Sequence, residues 1–193
     1  MNIAVVFPGQ GSQSVGMLSG YTENWPQILD TFKEASDVLG YDLWDIVSNG
    51  PVEKLNQTEI TQPAVLAADI AVMRVMAEQC MLKPFVLAGH SLGEYAALVA
   101  ANSIEFTDAI KLVAERGRLM QNAVPEGEGA MAAILNLTDE QVVERCEKAS
   151  AESDLIVEAV NFNSPGQVVM AGNPAAVAKA LERAKAEGAR RAL

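Results

Sequence analysis

The chain has 193 residues, of which 50% are hydrophobic and 20% are charged, so we expect a packed globular core. The 14 basic residues stand against 25 acidic ones, and the net charge of -11 argues against nucleic acid as a partner. Asp69 and Arg74 interrupt the longest apolar stretch, so no membrane-spanning segment is expected. No basic residue precedes Lys33, which argues against a secretory signal peptide. Cys80 and Cys146 are isolated in the sequence, as is typical of a protein in the reducing cytoplasm.

Two buried strands and several helices are predicted in the first part of the chain, residues 1–124. The strands cover residues 3–7 and 84–89, and a glycine-rich turn follows the first. Helices are expected over residues 25–39, 63–80, 92–101 and 107–124, with short helical turns over residues 41–56. Thr61 and Thr107 are the predicted N-caps of two of these helices, and Gly40 is the predicted end of the first.

The second part of the chain alternates strands and helices in a recognisable order. Strands are predicted over residues 130–135, 155–162, 168–171 and from 190 onward, and helices over residues 138–149 and 175–187. Pro165 and Gly166 form the centre of a type II turn between the second and third of these strands. The order β-α-β-β-α-β predicts a ferredoxin-like subdomain. We therefore expect an α/β protein with domains at residues 1–127 and 128–193.

The two strands of the first domain are too few for a stable parallel sheet covered by helices on both faces. We therefore expect the core of this domain to be incomplete in the chain, with its sheet continuing in sequence outside these 193 residues.

A GxSxG motif, Gly89-His90-Ser91-Leu92-Gly93, lies between a predicted strand and a predicted helix. This context is typical of a nucleophile elbow, in which a serine is held on a tight, strained turn. The alternative is an ordinary strand-to-helix turn with Ser91 as the helix N-cap. His90 is the only histidine, and we expect it to pack or orient and not to act as the base, because adjacent residues of such a turn point in different directions. The chain is therefore not expected to complete a Ser-His pair by itself.

Arg116 is the second residue with predicted chemistry. On the helix over residues 107–124 it falls within an apolar stripe with Ala109, Leu112, Val113, Met120 and Ala123, whereas Arg118 points to water. A buried guanidinium is costly without an anion, so Arg116 requires either an internal Asp or Glu or an anionic ligand. Its position alone does not choose between the two.

Five motifs in register resemble the bacterial malonyl-CoA:acyl carrier protein transacylases of type II fatty acid synthesis. The resemblance extends over the whole chain. The motifs are Phe7-Pro8-Gly9-Gln10-Gly11-Ser12-Gln13, Thr61-Gln62-Pro63-Ala64, Gly89-His90-Ser91-Leu92-Gly93-Glu94-Tyr95, Arg116-Gly117 and Asn161-Phe162-Asn163-Ser164-Pro165-Gly166-Gln167. This resemblance implies an α/β-hydrolase-like core with a ferredoxin-like insert. It also implies a cytoplasmic enzyme whose substrates are malonyl-CoA and acyl carrier protein, with no metal and no other cofactor.

The resemblance assigns roles to individual residues. Ser91 is the expected nucleophile, the backbone amides of Gln10 and Leu92 the oxyanion hole, and Arg116 the partner of the malonyl carboxylate. Three further positions have roles by the same resemblance: Gln62 and Asn161 line the pocket, and Arg190 with Arg191 docks the carrier protein. By composition alone, the basic stretch over residues 179–191 is typical of a solvated helix face.

Members of this family continue for roughly a hundred further residues that hold the histidine base, so we expect the present chain alone to be inactive. Two alternatives stay open: a general serine esterase, and a non-catalytic fragment that binds the carrier protein.

Overall fold

The computed structural model describes residues 2–80, 83–125 and 127–189, and the backbone of residues 191–192. The chain forms two compact units, Met1–Ala123 and Val124–Leu193, and both contain helices and strands. The predicted domain boundary, between residues 127 and 128, lies shortly after this division. The mixed α/β class predicted from the sequence is therefore confirmed.

In the first unit a small parallel sheet is combined with a cluster of helices. Strands β1 (Ala4–Phe7) and β2 (Val86–Gly89) pair in parallel, with Ala4 opposite Val86 and Phe7 opposite Gly89. The helices are α1 (Gln27–Leu39), α2 (Leu43–Asn49), α3 (Val52–Leu55), α4 (Thr58–Cys80), α5 (Leu92–Ala100) and α6 (Phe106–Asn122), with one 3-10 turn at Ser19–Tyr21.

The long helix α4 is the centre of the core of this unit, where α1, α5 and α6 pack against it. Every residue from Ile60 to Ala67 is buried. By length and apolar composition α4 could also cross a membrane, but 56% of its most apolar window is buried inside the unit. That degree of burial is typical of the core helix of a globular protein.

The two predicted helix N-caps are wrong. Helix α4 begins at Thr58, and Thr61 lies inside it, where its buried hydroxyl donates a hydrogen bond to the carbonyl of Leu55 at 2.6 Å. Helix α6 begins at Phe106 after the extended backbone of Glu105, because the Phe106 ring is buried in the core. A polar residue before an apolar run is a weak guide to a helix start where packing begins earlier.

The predicted full burial of the two strands is also wrong. Along β1 and β2 exposed side chains alternate with more buried ones, and Val6 is 72% exposed. Phe85, immediately before β2, is 73% exposed. Continuous apolar runs are typical of strands covered on both faces, whereas the described residues of this unit cover one face of its sheet.

The second unit is a four-stranded antiparallel sheet with two helices. Its elements are β3 (Ala130–Leu135), α7 (Asp139–Ser153), β4 (Val157–Ser164), β5 (Gln167–Gly172), α8 (Pro174–Ala186) and β6 (Arg191–Ala192). The strand order is β4-β5-β3-β6, and the elements follow one another in the predicted sequence order. Thr138 and Gln141 form a capping box at the start of α7. Gly166 has φ 76, as the predicted type II turn requires.

Candidate active site

Ser91 occupies a strained turn between β2 and α5. Its φ of 54 and ψ of -109 are rare for a residue with a side chain. Its hydroxyl makes no capping hydrogen bond to the helix that follows. An ordinary N-cap has extended backbone angles and a capping bond, so the geometry favours the nucleophile elbow over the alternative of an N-cap serine.

The glycines on either side of Ser91 are required by close packing. A Cβ on Gly89 would lie 2.1 Å from the carbonyl carbon of Gly93, and a Cβ on Gly93 would lie 2.3 Å from the carbonyl oxygen of Phe7. Both distances are far shorter than any van der Waals contact. The two glycines therefore allow the serine turn to fold back on itself and to lie against the end of β1.

Arg116 joins Ser91 to the core helix α4. One guanidinium nitrogen, Nη2, donates to the Ser91 Oγ at 2.9 Å, and the other, Nη1, donates to the Gln62 Oε1 at 2.6 Å. The guanidinium carbon lies 5.6 Å from the centre of the Tyr95 ring, within the range of a cation–π contact. The structure therefore brings together Ser91, Arg116 and Gln62, three of the predicted site residues.

The partners of Arg116 are neutral. Among the described residues no Asp or Glu forms an ion pair with it, in contrast to Arg118, which is paired with Glu115. The internal ion pair considered from the sequence is thus not found in the described part of the chain. No described carboxylate therefore neutralises the guanidinium next to the Ser91 hydroxyl.

The apolar stripe predicted for α6 is partly wrong. Leu112 is 47% and Met120 is 50% exposed, and Arg116 is half-buried. The buried stripe instead consists of Phe106, Ala109, Ile110, Val113 and Gly117. Gly117 contributes little to a hydrophobic pattern, but it allows α6 to approach α4 closely. The buried face of α6 is therefore centred closer to Gly117 than the hydrophobic pattern predicts. Arg116 consequently lies at the border of the stripe and can reach the surface near Ser91.

Gln62 is a fully buried polar side chain, and both its oxygen and its nitrogen have partners. Its oxygen accepts from Arg116, and its Nε2 contacts the Met120 Sδ at 3.3 Å. A buried amide that is hydrogen-bonded in this way has a fixed orientation. Gln62 therefore presents an acceptor to Arg116 from a rigid position on α4.

The two predicted oxyanion-hole residues belong to segments that meet at the serine turn, because a Cβ on Gly9 would lie 3.0 Å from the His90 carbonyl oxygen. Leu92 is the first residue of α5, and Gln10 belongs to the glycine-rich loop after β1. Among the described residues the backbone N–H of neither one has a hydrogen-bond acceptor. The Gln10 side chain donates to the Thr58 Oγ1 at 3.2 Å, which ties this loop to the first turn of α4.

The remaining predicted site residues lie in the second unit. Asn161 is an exposed residue of β4, opposite Val169 of β5. Arg190 is outside the described residues. The backbone of Arg191 pairs with Leu135 of β3, and its side chain is outside the described part of the chain.

Sequence reasoning missed Tyr95 and Thr58 as neighbours of the site. Tyr95 lies in the Gly89–Tyr95 motif, and its ring meets Arg116. Thr58 precedes the Thr61-Gln62-Pro63-Ala64 motif by three residues, and no pattern at Thr58 itself indicated a role. His90, which is exposed, donates no bond among the described residues, although its carbonyl accepts from the Gly93 N–H at 3.0 Å.

Comparison with known proteins gives consistent matches. The acyl transferase domain family matches residues 4–193. The malonyl CoA-acyl carrier protein transacylase of Haemophilus influenzae is 58% identical over 191 residues, which are 98% of this chain and 61% of that protein. The solved transacylase of Coxiella burnetii has a TM-score of 0.94 at 49% identity, and the match covers 100% of this chain and 60% of that one.

A further solved structure contains a type II PKS acyl-carrier protein in complex with its malonyl-transacylase. It has a TM-score of 0.94 at 54% identity, over 100% of this chain and 62% of that one. The present chain thus spans about three fifths of the length of the proteins that it matches.

Proposed function

This chain belongs to the acyl transferase domain family. From that premise we propose that it contains the nucleophile and the acyl-binding residues of a malonyltransferase. The enzyme would move a malonyl group from malonyl-CoA to the phosphopantetheine thiol of acyl carrier protein, in fatty acid biosynthesis. The observation that carries the proposal is the 2.9 Å contact between the Arg116 guanidinium and the Ser91 Oγ. A cation with neutral partners beside the acylated oxygen suits an acyl group that ends in a carboxylate.

The reaction is a ping-pong transfer through an ester. Ser91 Oγ attacks the thioester carbonyl of malonyl-CoA, the C–S bond breaks, and the serine proton leaves with coenzyme A as its thiol. The backbone amides of Gln10 and Leu92 stabilise the negative charge that develops on the carbonyl oxygen. The phosphopantetheine thiol then attacks the ester carbonyl, a new C–S bond forms as the C–O bond to Ser91 breaks, and the thiol proton returns to Ser91 Oγ.

Arg116 holds the free carboxylate of the malonyl group during both steps. A guanidinium presents parallel donors that match the two carboxylate oxygens. When the substrate is bound, the carboxylate takes the place of the Ser91 hydroxyl as acceptor from Nη2, and Gln62 keeps Nη1 in position. We assign no metal or redox cofactor, because acyl exchange between a thiol and a serine needs only a nucleophile, a base and oxyanion donors.

We assign the proton transfer to a base outside these 193 residues. His90 is the only histidine of the chain, and it is exposed on the same turn as the nucleophile. Removal of one member of such a catalytic group costs several orders of magnitude in rate. The chain by itself is therefore proposed to be inactive, although it holds the groups that recognise the acyl chain.

The finer fold description is part of the same proposal. For the first unit, an α/β-hydrolase-like core is supported by the parallel strands and by the strained serine that follows β2. For the second unit, a ferredoxin-like subdomain is supported by the β-α-β-β-α-β order, with the first and third strands adjacent at the centre of an antiparallel sheet. We propose that Asn161 lines the acyl pocket, and that Arg190 and Arg191 dock the carrier protein.

A cytoplasmic location completes the proposal. Cys80 and Cys146 are both free thiols, and Cys146 is buried. Burial raises the pKa of the Cys146 thiol to about 11, so this residue is protonated and unreactive at neutral pH. Free thiols without a disulfide partner are typical of a reducing compartment.

Two other functions are less well supported. A general serine esterase has no use for a guanidinium beside its nucleophile, and among the described residues Arg116 has no carboxylate partner that would make it structural. A non-catalytic module that binds the carrier protein has no need of a serine at φ 54, because backbone strain of this kind is retained where it serves chemistry.

The test is the covalent intermediate. The full polypeptide that carries this chain is incubated with malonyl-CoA, digested, and analysed by mass spectrometry. A malonyl ester is expected on Ser91, and Ser91→Ala should abolish it. Ser103→Ala, which changes an exposed serine just after α5, is the matched control and should leave the ester in place. Location of the acyl group on any other residue would refute the assignment.

A further inference from the structure

We propose that Gly117 is a positioning residue for Arg116, and that it sets the preference for malonyl over uncharged acyl groups. This inference rests on the proposed function. Gly117 touches no reacting atom; it acts by allowing α6 to approach the first turn of α4. That approach fixes the distance at which Arg116 meets Gln62 and Ser91.

The contact between Gly117 and α4 leaves no room for a side chain. A Cβ at this position would lie 2.7 Å from the Glu59 Cα, 2.7 Å from the Thr58 carbonyl oxygen and 3.0 Å from the Glu59 nitrogen. These are backbone atoms of a helix, so they cannot rotate away as the end of a side chain can. Because carbon contacts are relaxed at about 3.5–4.0 Å, an alanine would move the two helices apart by roughly 1 Å.

A displacement of that size is large on the scale of the Arg116 hydrogen bonds. The guanidinium lies 2.6 Å from Gln62 Oε1 and 2.9 Å from Ser91 Oγ. Most hydrogen bonds from nitrogen to oxygen are no longer than about 3.2 Å, and a contact at about 3.6 Å is no longer one. Gln62 is fully buried on α4, the helix from which α6 would move away. Arg116, the residue next to Gly117, would therefore lose the partner that orients it.

A second contact ties α6 to the same turn of α4. The Gln121 Oε1 accepts from the Thr58 N–H at 3.2 Å, and the Thr58 hydroxyl accepts from Gln10. The first turn of α4 therefore contacts both the helix that carries Arg116 and the loop that carries Gln10. A simple packing role for Gly117 would affect stability, whereas a positioning role would affect the discrimination between acyl groups.

The test compares acyl groups in the full polypeptide that carries this chain. The kcat/KM values are measured for malonyl-CoA and acetyl-CoA, and their ratio is the readout, because a merely structural lesion lowers both values together. Gly117→Ala is expected to lower the ratio by about tenfold or more through the malonyl value. Alanine is the better helix former, so a lower ratio cannot come from weaker helix propensity.

Val113→Ala is the matched control, because Val113 is fully buried on the same helix, one turn away, and truncation leaves a cavity without pushing the helices apart. It should lower stability and leave the ratio unchanged. Gln62→Met is the second variant, since it removes the acceptor of Arg116 in a side chain of similar shape, and it should lower the ratio as Gly117→Ala does.

The outcomes separate the two proposals. If the parent protein shows no preference for malonyl-CoA, the proposed function fails. If the parent prefers malonyl-CoA and a folded Gly117→Ala protein keeps the full ratio, the positioning role is overturned. If Gly117→Ala does not fold, Gln62→Met decides: an unchanged ratio shows that the approach of α6 to Gln62 does not govern selectivity, and a lowered ratio supports the inference.

Discussion

Replacement of Arg116 by alanine removes the one cation that contacts the Ser91 hydroxyl in the described part of the chain. Among uncharged alternatives alanine is the safest choice, because it keeps the helix propensity of α6 high. The change also leaves the buried Gln62 oxygen without its donor, and this costs about 1–3 kcal/mol of unfolding free energy. The stability of the variant is therefore measured by urea unfolding, separately from its kinetics.

The expected loss of malonyl transfer follows from the partial burial of Arg116. Hydrogen bonds to charged groups contribute about 1.5–3 kcal/mol, and truncation of one member of a buried charge pair costs about 2–5 kcal/mol. Because the guanidinium is half-buried, we expect about 2–3 kcal/mol, which is a decrease of about 30- to 150-fold in kcat/KM for malonyl-CoA. Acetyl transfer should decrease much less, because acetyl has no carboxylate. Arg116→Lys keeps the charge but not the planar donor pair. Its kcat/KM for malonyl-CoA should therefore lie between that of the parent protein and that of Arg116→Ala.

The assay has a close internal control. Arg118 lies two residues along the same helix, is exposed, and is paired with Glu115. Arg118→Ala removes the same kind of side chain from α6 and should leave the ratio of malonyl to acetyl transfer unchanged. An equal decrease of malonyl and acetyl transfer in Arg116→Ala would show that Arg116 is structural, and would refute its assignment to the malonyl carboxylate.

Two further predictions concern other parts of the chain. The double variant Arg190→Glu with Arg191→Glu should raise the KM for carrier protein more than the KM for malonyl-CoA. The increase should be smaller at high salt, because salt screens the charges of a docking contact. An increase that does not depend on salt would contradict a docking role. Burial raises the pKa of Asp69 to about 7 from 3.8, so the unfolded state loses this proton before the folded state does, and stability falls as pH rises from about 4 to 7. Asp69→Asn should therefore be as stable as the parent near pH 4 and more stable at pH 8, by about 2 kcal/mol after an allowance for solvent screening. The free energies of unfolding of the two proteins are measured in urea. A difference between them that stays constant from pH 4 to pH 8 would contradict the raised pKa of Asp69.

The elements that have strong local signals could be predicted from the sequence. Gly40 ends α1 in a left-handed conformation, as expected for a helix C-terminus. The GxSxG motif predicts the turn at Ser91, because the glycines on both sides of the serine allow the chain to fold tightly there. The antiparallel unit after Val124 has elements in the predicted order for a similar reason: its turn residues mark each boundary.

The features that depend on packing between distant segments could not be predicted. The start of α4 at Thr58 depends on tertiary packing: Thr61 is buried inside the helix and donates to the carbonyl of Leu55, the last residue of α3. The buried stripe of α6 was misjudged because a hydrophobic pattern gives little weight to Gly117, whereas close helix approach depends on it. Burial of a residue is thus a property of its neighbours as much as of its own side chain.

The neutral partner of Arg116 links the fold to the chemistry. A carboxylate at position 62 would pair with the guanidinium and would compete with the acyl carboxylate of the proposed substrate. An apolar residue would leave the guanidinium nitrogen Nη1 without the acceptor that orients it. A buried amide avoids both outcomes, because its oxygen accepts one N–H and neutralises no charge. The arginine is therefore held in one orientation beside Ser91 by a partner that does not neutralise its charge, and this combination suits the proposed recognition of an anionic acyl group.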